Sequence, residues 1–204
     1  MVVFGVVPAA GVEDRATVAS YELLVVRQLG AVVENVSLGG SLDLMHRTAR
    51  YRAIVEQIFA ERTIVPLPCG TVFRSRASVA RWLELHWSPL QDAIDFVSDR
   101  ATMRVRVALQ ETPATAAGAA SLDGHLWTTL RGLKADAIAA VPVVANADAS
   151  AAAPSAACAY LIDRDAVLAF ERRVASLTTS DPHLRVTIMG PLPAYDFIKM
   201  DFGG

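Results

Sequence analysis

The chain has 204 residues, of which 53% are hydrophobic, and this is enough apolar surface for one large or two small folded domains. Its 19 basic and 21 acidic residues give a formal net charge of -2. A protein that neutralises phosphates needs a basic face, so we expect no nucleic-acid partner. The apolar run at residues 2–7 has no basic segment before it and is too short for a membrane span, which favours a cytoplasmic protein.

The first half of the chain alternates between short apolar segments and helical periods. Continuous apolar or β-branched runs predict strands. These strands are expected at residues 2–7, 23–26, 31–36 and 63–67, with a hairpin turn at 28–30. Apolar residues at helical spacing predict one amphipathic helix over about 42–61, with Ser41 as its N-cap, and a second from 79 to 97. Pro89 is expected to kink or divide the second helix.

The second half shows a β-α-β-β-α-β order of periodicities. Strands are predicted at residues 103–109, 141–145, 158–162 and 184–189, and helices at 122–138 and 167–177. The stretches 112–120 and 146–157 are rich in Ala, Pro, Gly or Ser and are interpreted as connections, the second as a mobile one. This order is typical of the split ferredoxin-like arrangement, with two helices on one face of an antiparallel sheet. We therefore predict an α+β protein with domains at 1–100 and 101–204.

The C-terminal tail is unusually constrained for a chain end. Gly190, Pro191 and Pro193 follow an alternating strand and are expected to end its ladder and fix an extended exit. The aromatic residues Tyr195 and Phe197, with Phe202 after them, then supply apolar surface. We expect this surface to hold the tail against the folded protein.

No pattern typical of a catalytic, cofactor or metal site is present in the sequence. The four histidines show no HxxxH or HExxH spacing, and neither GxSxG nor a phosphate-binding glycine loop occurs. Cys69 and Cys158 lie far apart without CxxC spacing and are interpreted as small buried side chains. Asp163 and Asp165 precede a predicted helix, where carboxylates are favourable as caps. We predict no catalytic residue, no cofactor and no metal ligand.

Two tryptophans in the first half invite different interpretations. Trp82 lies on the apolar stripe of its helix beside Val79 and Leu83, which indicates core packing. Trp87 lies off that stripe and is expected to be partly exposed. Since tryptophan is enriched among binding hot spots, Trp87 is a candidate contact for a protein partner.

The tail carries a resemblance to a known family. The run Gly190-Pro191-Leu192-Pro193-Ala194-Tyr195-Asp196-Phe197 resembles the Gly-Pro-Trp-Pro-Pro-Tyr-Ser-Phe signature of the gas vesicle protein GvpF/GvpL family. Other features agree with that family in the same order along the chain. They are His46, Pro66 followed by Gly70, Thr71, Val72 and Phe73, the segment 159–164 with Tyr160, and Phe170. We expect the signature residues to be structural rather than contact residues.

The resemblance implies a two-domain α+β protein with a modified ferredoxin-like C-terminal domain. It also implies an accessory protein that is associated with gas vesicles, contacts the small hydrophobic shell protein of GvpA type and other accessory proteins, and assists gas vesicle assembly. Pro68-Cys69 stands where the family commonly has Arg-Phe, so no role of that arginine transfers to this chain. From the residues alone, a ferredoxin-like domain that senses a small molecule stays open, as does an enzyme with a single acid/base.

Overall fold

The computed structural model describes residues 1–9, 21–35, 44–110, 116–144 and 155–198, without the side chains of 44–46 and 116–122. Contacts divide the chain into two compact units. The first unit comprises Met1–Ser98 together with the tail from Pro193, and the second unit comprises Asp99–Leu192. The sequence-based division placed this tail in the second domain, whereas in the structure it packs with the first unit.

The first unit is built on a four-stranded antiparallel sheet with the order β2-β3-β1-β4. The strands are β1 (Val2–Pro8), β2 (Glu22–Val26), β3 (Leu29–Glu34) and β4 (Val65–Pro66). The central strands β1 and β3 are buried over most of their length, in keeping with their continuous apolar sequences. The hairpin between β2 and β3 turns at Arg27 and Gln28, one residue earlier than predicted, and Arg27 takes a φ of 56° there.

Three helices complete the described part of the first unit. They are α1 (Leu44–Glu61), α2 (Arg76–Leu85) and α3 (Trp87–Val97). Ser75 caps α2, since its hydroxyl accepts a hydrogen bond from the Ser78 amide at 3.2 Å. The predicted division of the second helix is confirmed, because Pro89 has no N–H to donate to the Leu85 carbonyl one turn earlier. The proposed cap of α1, Ser41, lies outside the described residues.

The second unit shows the predicted β-α-β-β-α-β order. Its elements are β5 (Arg100–Leu109), α4 (Ala116–Gly132), β6 (Ala139–Pro142), β7 (Ser155–Asp163), α5 (Val167–Ser180) and β8 (Leu184–Leu192). The strands form one antiparallel sheet with the order β6-β7-β5-β8. The first and last strands of the unit are therefore neighbours, as the sequence predicts.

Several boundaries in the second unit differ from the predictions. Helix α4 begins at Ala116, inside the stretch 112–120 that was interpreted as a loop, since alanine is the strongest helix former. It ends at Gly132, so Ile138 is not part of it, and β6 starts two residues earlier than predicted. Of the connection predicted at 146–157, the last three residues belong to β7, and 146–154 lie outside the described residues.

The core of the second unit lies between the sheet and its two long helices. Alternate residues of β5 point into it, which explains why Arg104 and Arg106 interrupt an apolar strand without disturbing the core. The buried cluster contains residues from the strands and from both helices: Met103, Val105, Val107, Leu126, Leu130, Cys158, Tyr160, Ile162, Phe170, Val174 and Leu184. Each large apolar side chain buried here stabilises the fold by about 1.5–3 kcal/mol relative to exposure.

Strand β8 continues through the glycine and proline that were expected to end it. The ladder with β5 resumes at the pair Thr102↔Leu192, after a register shift that leaves Gly190 and Pro191 opposite a single residue of β5. Gly190 has a φ of +150°, and a Cβ at this position would lie 2.6 Å from the Met103 sulfur. The expectation of a ladder ending at Gly190 is therefore wrong, because a bulge at the glycine lets pairing continue.

Candidate functional site

The residues of the family-like signature fall into two groups, one in each unit. The first unit contains Pro66, Gly70, Thr71, Phe73, Pro193, Tyr195 and Phe197, and the second contains Tyr160, Phe170, Gly190 and Pro191. Trp87, the candidate partner contact, belongs to the first unit.

The segment around Gly70 forms a turn that attaches to the first strand. Gly70 has a φ of +89°, a conformation that favours glycine. The Thr71 hydroxyl donates to the Pro68 carbonyl at 2.7 Å, and the Thr71 carbonyl accepts from the Val3 amide at 3.0 Å. Phe73 donates its amide to the Met1 carbonyl at 2.9 Å. These bonds attach the turn at residues 70–73 to the first strand.

An aromatic row connects this turn to the junction of α2 and α3. The Phe73 ring lies 5.6 Å from the Trp82 ring, and Trp82 stacks on His86 at 5.2 Å between centroids. The Trp82 side chain is only 8% exposed, which confirms its predicted place in the core. His86 is held by a 2.9 Å contact between its Nδ1 and the Trp82 carbonyl. The row fixes the position from which Trp87 begins the next helix.

Trp87 is half-buried and carries an arginine over its ring. The guanidinium carbon of Arg27 lies 6.0 Å from the Trp87 ring centroid, within the range of a cation–π contact. Arg27 itself is exposed at the hairpin between β2 and β3. Trp87 as a partner contact stays a prediction, and Arg27 was not predicted from the sequence, because it is distant from Trp87 in the chain and neither residue belongs to a motif.

The tail signature packs through an aromatic cluster in the first unit. Tyr195 lies 6.3 Å from the Tyr51 ring of α1, and Tyr51 in turn stacks on Phe4 of β1 at the same centroid distance of 6.3 Å. Pro193 and Ala194 are buried beside them. The Tyr51 hydroxyl donates to the Leu67 carbonyl, and burial raises the pKa of this phenol. The described part of the tail, through residue 198, is therefore held by packing, and Phe202 lies outside the described residues.

In the second unit, Tyr160 and Phe170 join the sheet to both helices. The Tyr160 ring is fully buried and lies 5.3 Å from the Phe170 ring of α5. Its hydroxyl donates to the Leu130 carbonyl of α4 at 2.6 Å. Burial raises the pKa of the Tyr160 phenol, so this group is a neutral hydrogen-bond donor. Both residues thus make packing and hydrogen-bond contacts inside the second unit.

The acidic and histidine side chains of the described residues do not assemble into a metal site. No group of three or more His, Cys, Asp or Glu side chains that could hold a metal ion occurs within the described ranges. Asp163 occupies the N-cap position before the short 3-10 turn Arg164–Ala166, as the capping interpretation expects, but its side chain makes no capping bond and pairs with Arg100 at 3.4 Å. His125 pairs with Asp181 at 3.0 Å on the surface of the second unit. These pairs suit structural contacts.

The two cysteines occupy different environments. Both are free thiols, and Cys158 is buried in the core of the second unit, as predicted. Cys69 is exposed, so the interpretation of a buried side chain is wrong for it, because the turn that contains it lies on the surface. Among the described helices, none combines the length and apolar character needed to cross a membrane.

Comparisons with known proteins agree on one family. The family model described as gas vesicle synthesis protein GvpL/GvpF matches residues 1–125 and 130–199. The crystal structure of the gas vesicle protein GvpF from Anabaena sp. PCC7120 is similar, with a TM-score of 0.77, 12% identity and 98% coverage of both chains. That of GvpF from Microcystis aeruginosa has a TM-score of 0.69 at 14% identity and covers 97% of this chain and 98% of its own. A search of curated proteins gave no match.

Proposed function

Because this chain belongs to the gas vesicle synthesis protein GvpL/GvpF family, we propose that it is a non-enzymatic assembly factor that binds the hydrophobic shell protein of GvpA type. Membership of the family supports a role related to gas vesicles. The observation that carries the finer proposal is the combination of that membership with the surface around Trp87 and Arg27. Tryptophan and arginine are the residues most enriched in binding hot spots.

The physical task of such a factor is capture. A shell subunit that buries large apolar surfaces in a finished wall exposes them before assembly and is then prone to aggregation. A partner that covers those surfaces keeps the subunit soluble until it is delivered. This task needs a complementary surface and no bond-making step, so we propose that the protein works without metal, nucleotide or covalent chemistry.

We assign the contact surface to the first unit. Trp87 and Arg27 lie there, and the Phe73–Trp82–His86 row holds the start of α3 in place. A preformed aromatic anchor loses little conformational entropy on binding. For the second unit, we propose a modified ferredoxin-like domain, which its element order and its strand order β6-β7-β5-β8 support. We place the protein in the cytoplasm, associated with gas vesicles and in contact with other accessory proteins of the same system.

A pull-down with the full-length chain tests this assignment. The full chain is used because the tail from Pro193 packs with the first unit, so a fragment that ends near residue 98 would lack part of that unit. Tagged shell protein, kept soluble as a fusion, should retain the wild-type protein. Trp87→Ala should reduce retention, because truncation of a central aromatic anchor costs about 2 kcal/mol or more.

The matched control is an exposed apolar side chain in the second unit. Leu168 on α5 is 58% exposed, and Leu168→Ala should leave retention unchanged. Loss of binding in Leu168→Ala with full binding in Trp87→Ala would move the contact surface to the second unit. Absence of wild-type binding would contradict the proposed function itself.

A further inference from the structure

Among the described strands, β2 lies at one edge of the first sheet and pairs only with β3. The Ala9 amide donates to the Gln28 carbonyl at 2.8 Å. In an antiparallel ladder this means that the backbone N–H and C=O groups of even-numbered residues at this end of β3 face β1. Odd-numbered residues of β3 therefore bond to β2, in the pairs Leu29↔Val26, Ala31↔Leu24 and Val33↔Glu22. The alternation leaves the amide and carbonyl of Leu23 and Val25 facing away from the sheet. Among the described residues, no backbone hydrogen bond joins Leu23 or Val25 to a residue outside the sheet.

The other described edge strands carry features that discourage pairing. Strand β4 has two residues, one of which is a proline, and β6 has four residues and ends at Pro142. Strand β8 is longer but carries Arg185, which is exposed, and Pro191. Charges, prolines and short length are the devices by which proteins block unwanted strand addition. Strand β2 has five residues and begins with Glu22, but its remaining residues, Leu-Leu-Val-Val, include neither a charge nor a proline.

The two ends of this edge differ in charge. At the start of β2, Glu22 is neutralised by Arg76 of α2, with 2.7 Å between the nitrogen and the carboxylate oxygen. At the hairpin end, the guanidinium of Arg27 lies over Trp87 and has no carboxylate partner among the described residues. Between the two ends, the exposed side chain of Val25 is apolar and 48% accessible. The edge is thus apolar along its length and cationic at its hairpin end.

We propose that β2 adds an extended segment of the shell protein as a fifth strand of this sheet, an inference that rests on the proposed function. Main-chain groups of Leu23 and Val25 would bond to the segment, and strand addition of this kind gives affinity through the backbone. The segment fits best if its side chains along β2 are uncharged and a carboxylate follows at the end beside Arg27. The partner is therefore an apolar strand with an acidic side chain at one end.

Amide hydrogen exchange of the full-length protein tests the proposal directly. The shell protein, kept soluble as a fusion, is the probe. In the free protein, the amides of Leu23 and Val25 should exchange fast, while those of Leu24 and Val26 are protected by β3. In the complex, the Leu23 and Val25 amides should slow by at least about tenfold, as expected for new hydrogen bonds of about 1.4 kcal/mol or more.

Two variants at one position separate the backbone from the side chain. Val25→Pro removes the outward amide, a change that edge strands tolerate, and Val25→Ala retains it. Val25→Pro should weaken binding by about tenfold through its lost main-chain bond, and Val25→Ala by no more than about threefold. Arg27→Gln should lower affinity and its salt dependence, whereas Arg27→Lys should retain both.

Each outcome decides between the two proposals. Strand addition at β2 would be overturned if binding left the exchange rates of the Leu23 and Val25 amides unchanged. It would also be overturned if a folded Val25→Pro variant bound the shell protein as tightly as wild type. Either result would leave the proposed function unaffected. Equal binding by wild type, Arg27→Gln and Arg27→Lys would overturn the acidic end of the segment. Absence of binding by the wild-type protein would overturn both the edge inference and the proposed function. If Val25→Pro fails to fold, the exchange measurement on the wild type still decides.

Discussion

Replacement of Gly190 by alanine should destabilise the second unit strongly. The glycine has a φ of +150°, where an L side chain is strained by about 1–3 kcal/mol. An added Cβ would also lie 2.6 Å from the Met103 sulfur and 2.8 Å from the Thr102 carbonyl oxygen. The methionine side chain can move, but the carbonyl belongs to the β5 backbone and cannot move without disturbing the ladder. Together these effects should cost about 2–4 kcal/mol, as for overpacking of a core.

Urea unfolding of the full-length protein measures this loss. With a slope of about 1–3 kcal/mol per molar for a small domain, the midpoint of the second unit should fall by roughly 1–2 M. Exchange of amides in β5 and β8 should accelerate in parallel. The matched control is Gly124→Ala in α4, where nothing lies within 4 Å of an added Cβ and alanine should stabilise the helix by about 0.5–1 kcal/mol. Equal midpoints for Gly190→Ala and wild type would refute the account of the bulge.

Three further substitutions test the packing and charge contacts. Tyr195→Ala should cost about 1–3 kcal/mol in the first unit, because its half-buried ring packs on Tyr51, and a urea midpoint equal to wild type would make the tail dispensable. Tyr160→Phe removes the hydroxyl that donates to the buried Leu130 carbonyl and should cost about 1–3 kcal/mol, as measured by thermal unfolding, and an unchanged melting temperature would contradict this. The His125 hydrogen bond and the His183 amide lower the pKa of Asp181 below its ordinary 3.8. The stabilising contribution of Asp181 should therefore be complete above about pH 4 and lost as the pH falls through the lowered pKa, so stability measured for wild type and Asp181→Asn should converge in acid.

Most helices and strands of the second unit could be predicted because each is marked by the order of residues within its own segment. Arg104 and Arg106 alternate with core residues of β5, and this period of two marks a strand whatever the rest of the chain does. Pro89 similarly ends a helix through its own missing amide. The start of α4 was missed because an Ala-rich stretch is compatible with both loop and helix until its surroundings are known.

The features that escaped prediction depend on contacts between distant residues. The continuation of β8 past Gly190 requires a bulge against Thr102 and Met103, which no pattern around residue 190 reveals. The aromatic tail was expected to pack against the folded protein, but only the structure shows that the Tyr195 ring contacts the Tyr51 ring. Arg27 and Trp87 are likewise distant in sequence, so their contact could not be predicted. Only the Trp87 part of the candidate surface could be predicted from the sequence.

Direct binding between purified components tests the central claim most directly. Fluorescence anisotropy of a labelled, soluble shell-protein fusion, titrated with the full-length protein in EDTA and without nucleotide, measures it. Binding should be saturable and unchanged by EDTA, and it should be weakened in Trp87→Ala but not in Leu168→Ala. A flat titration with wild-type protein, under conditions where the shell-protein fusion stays monodisperse, would contradict it.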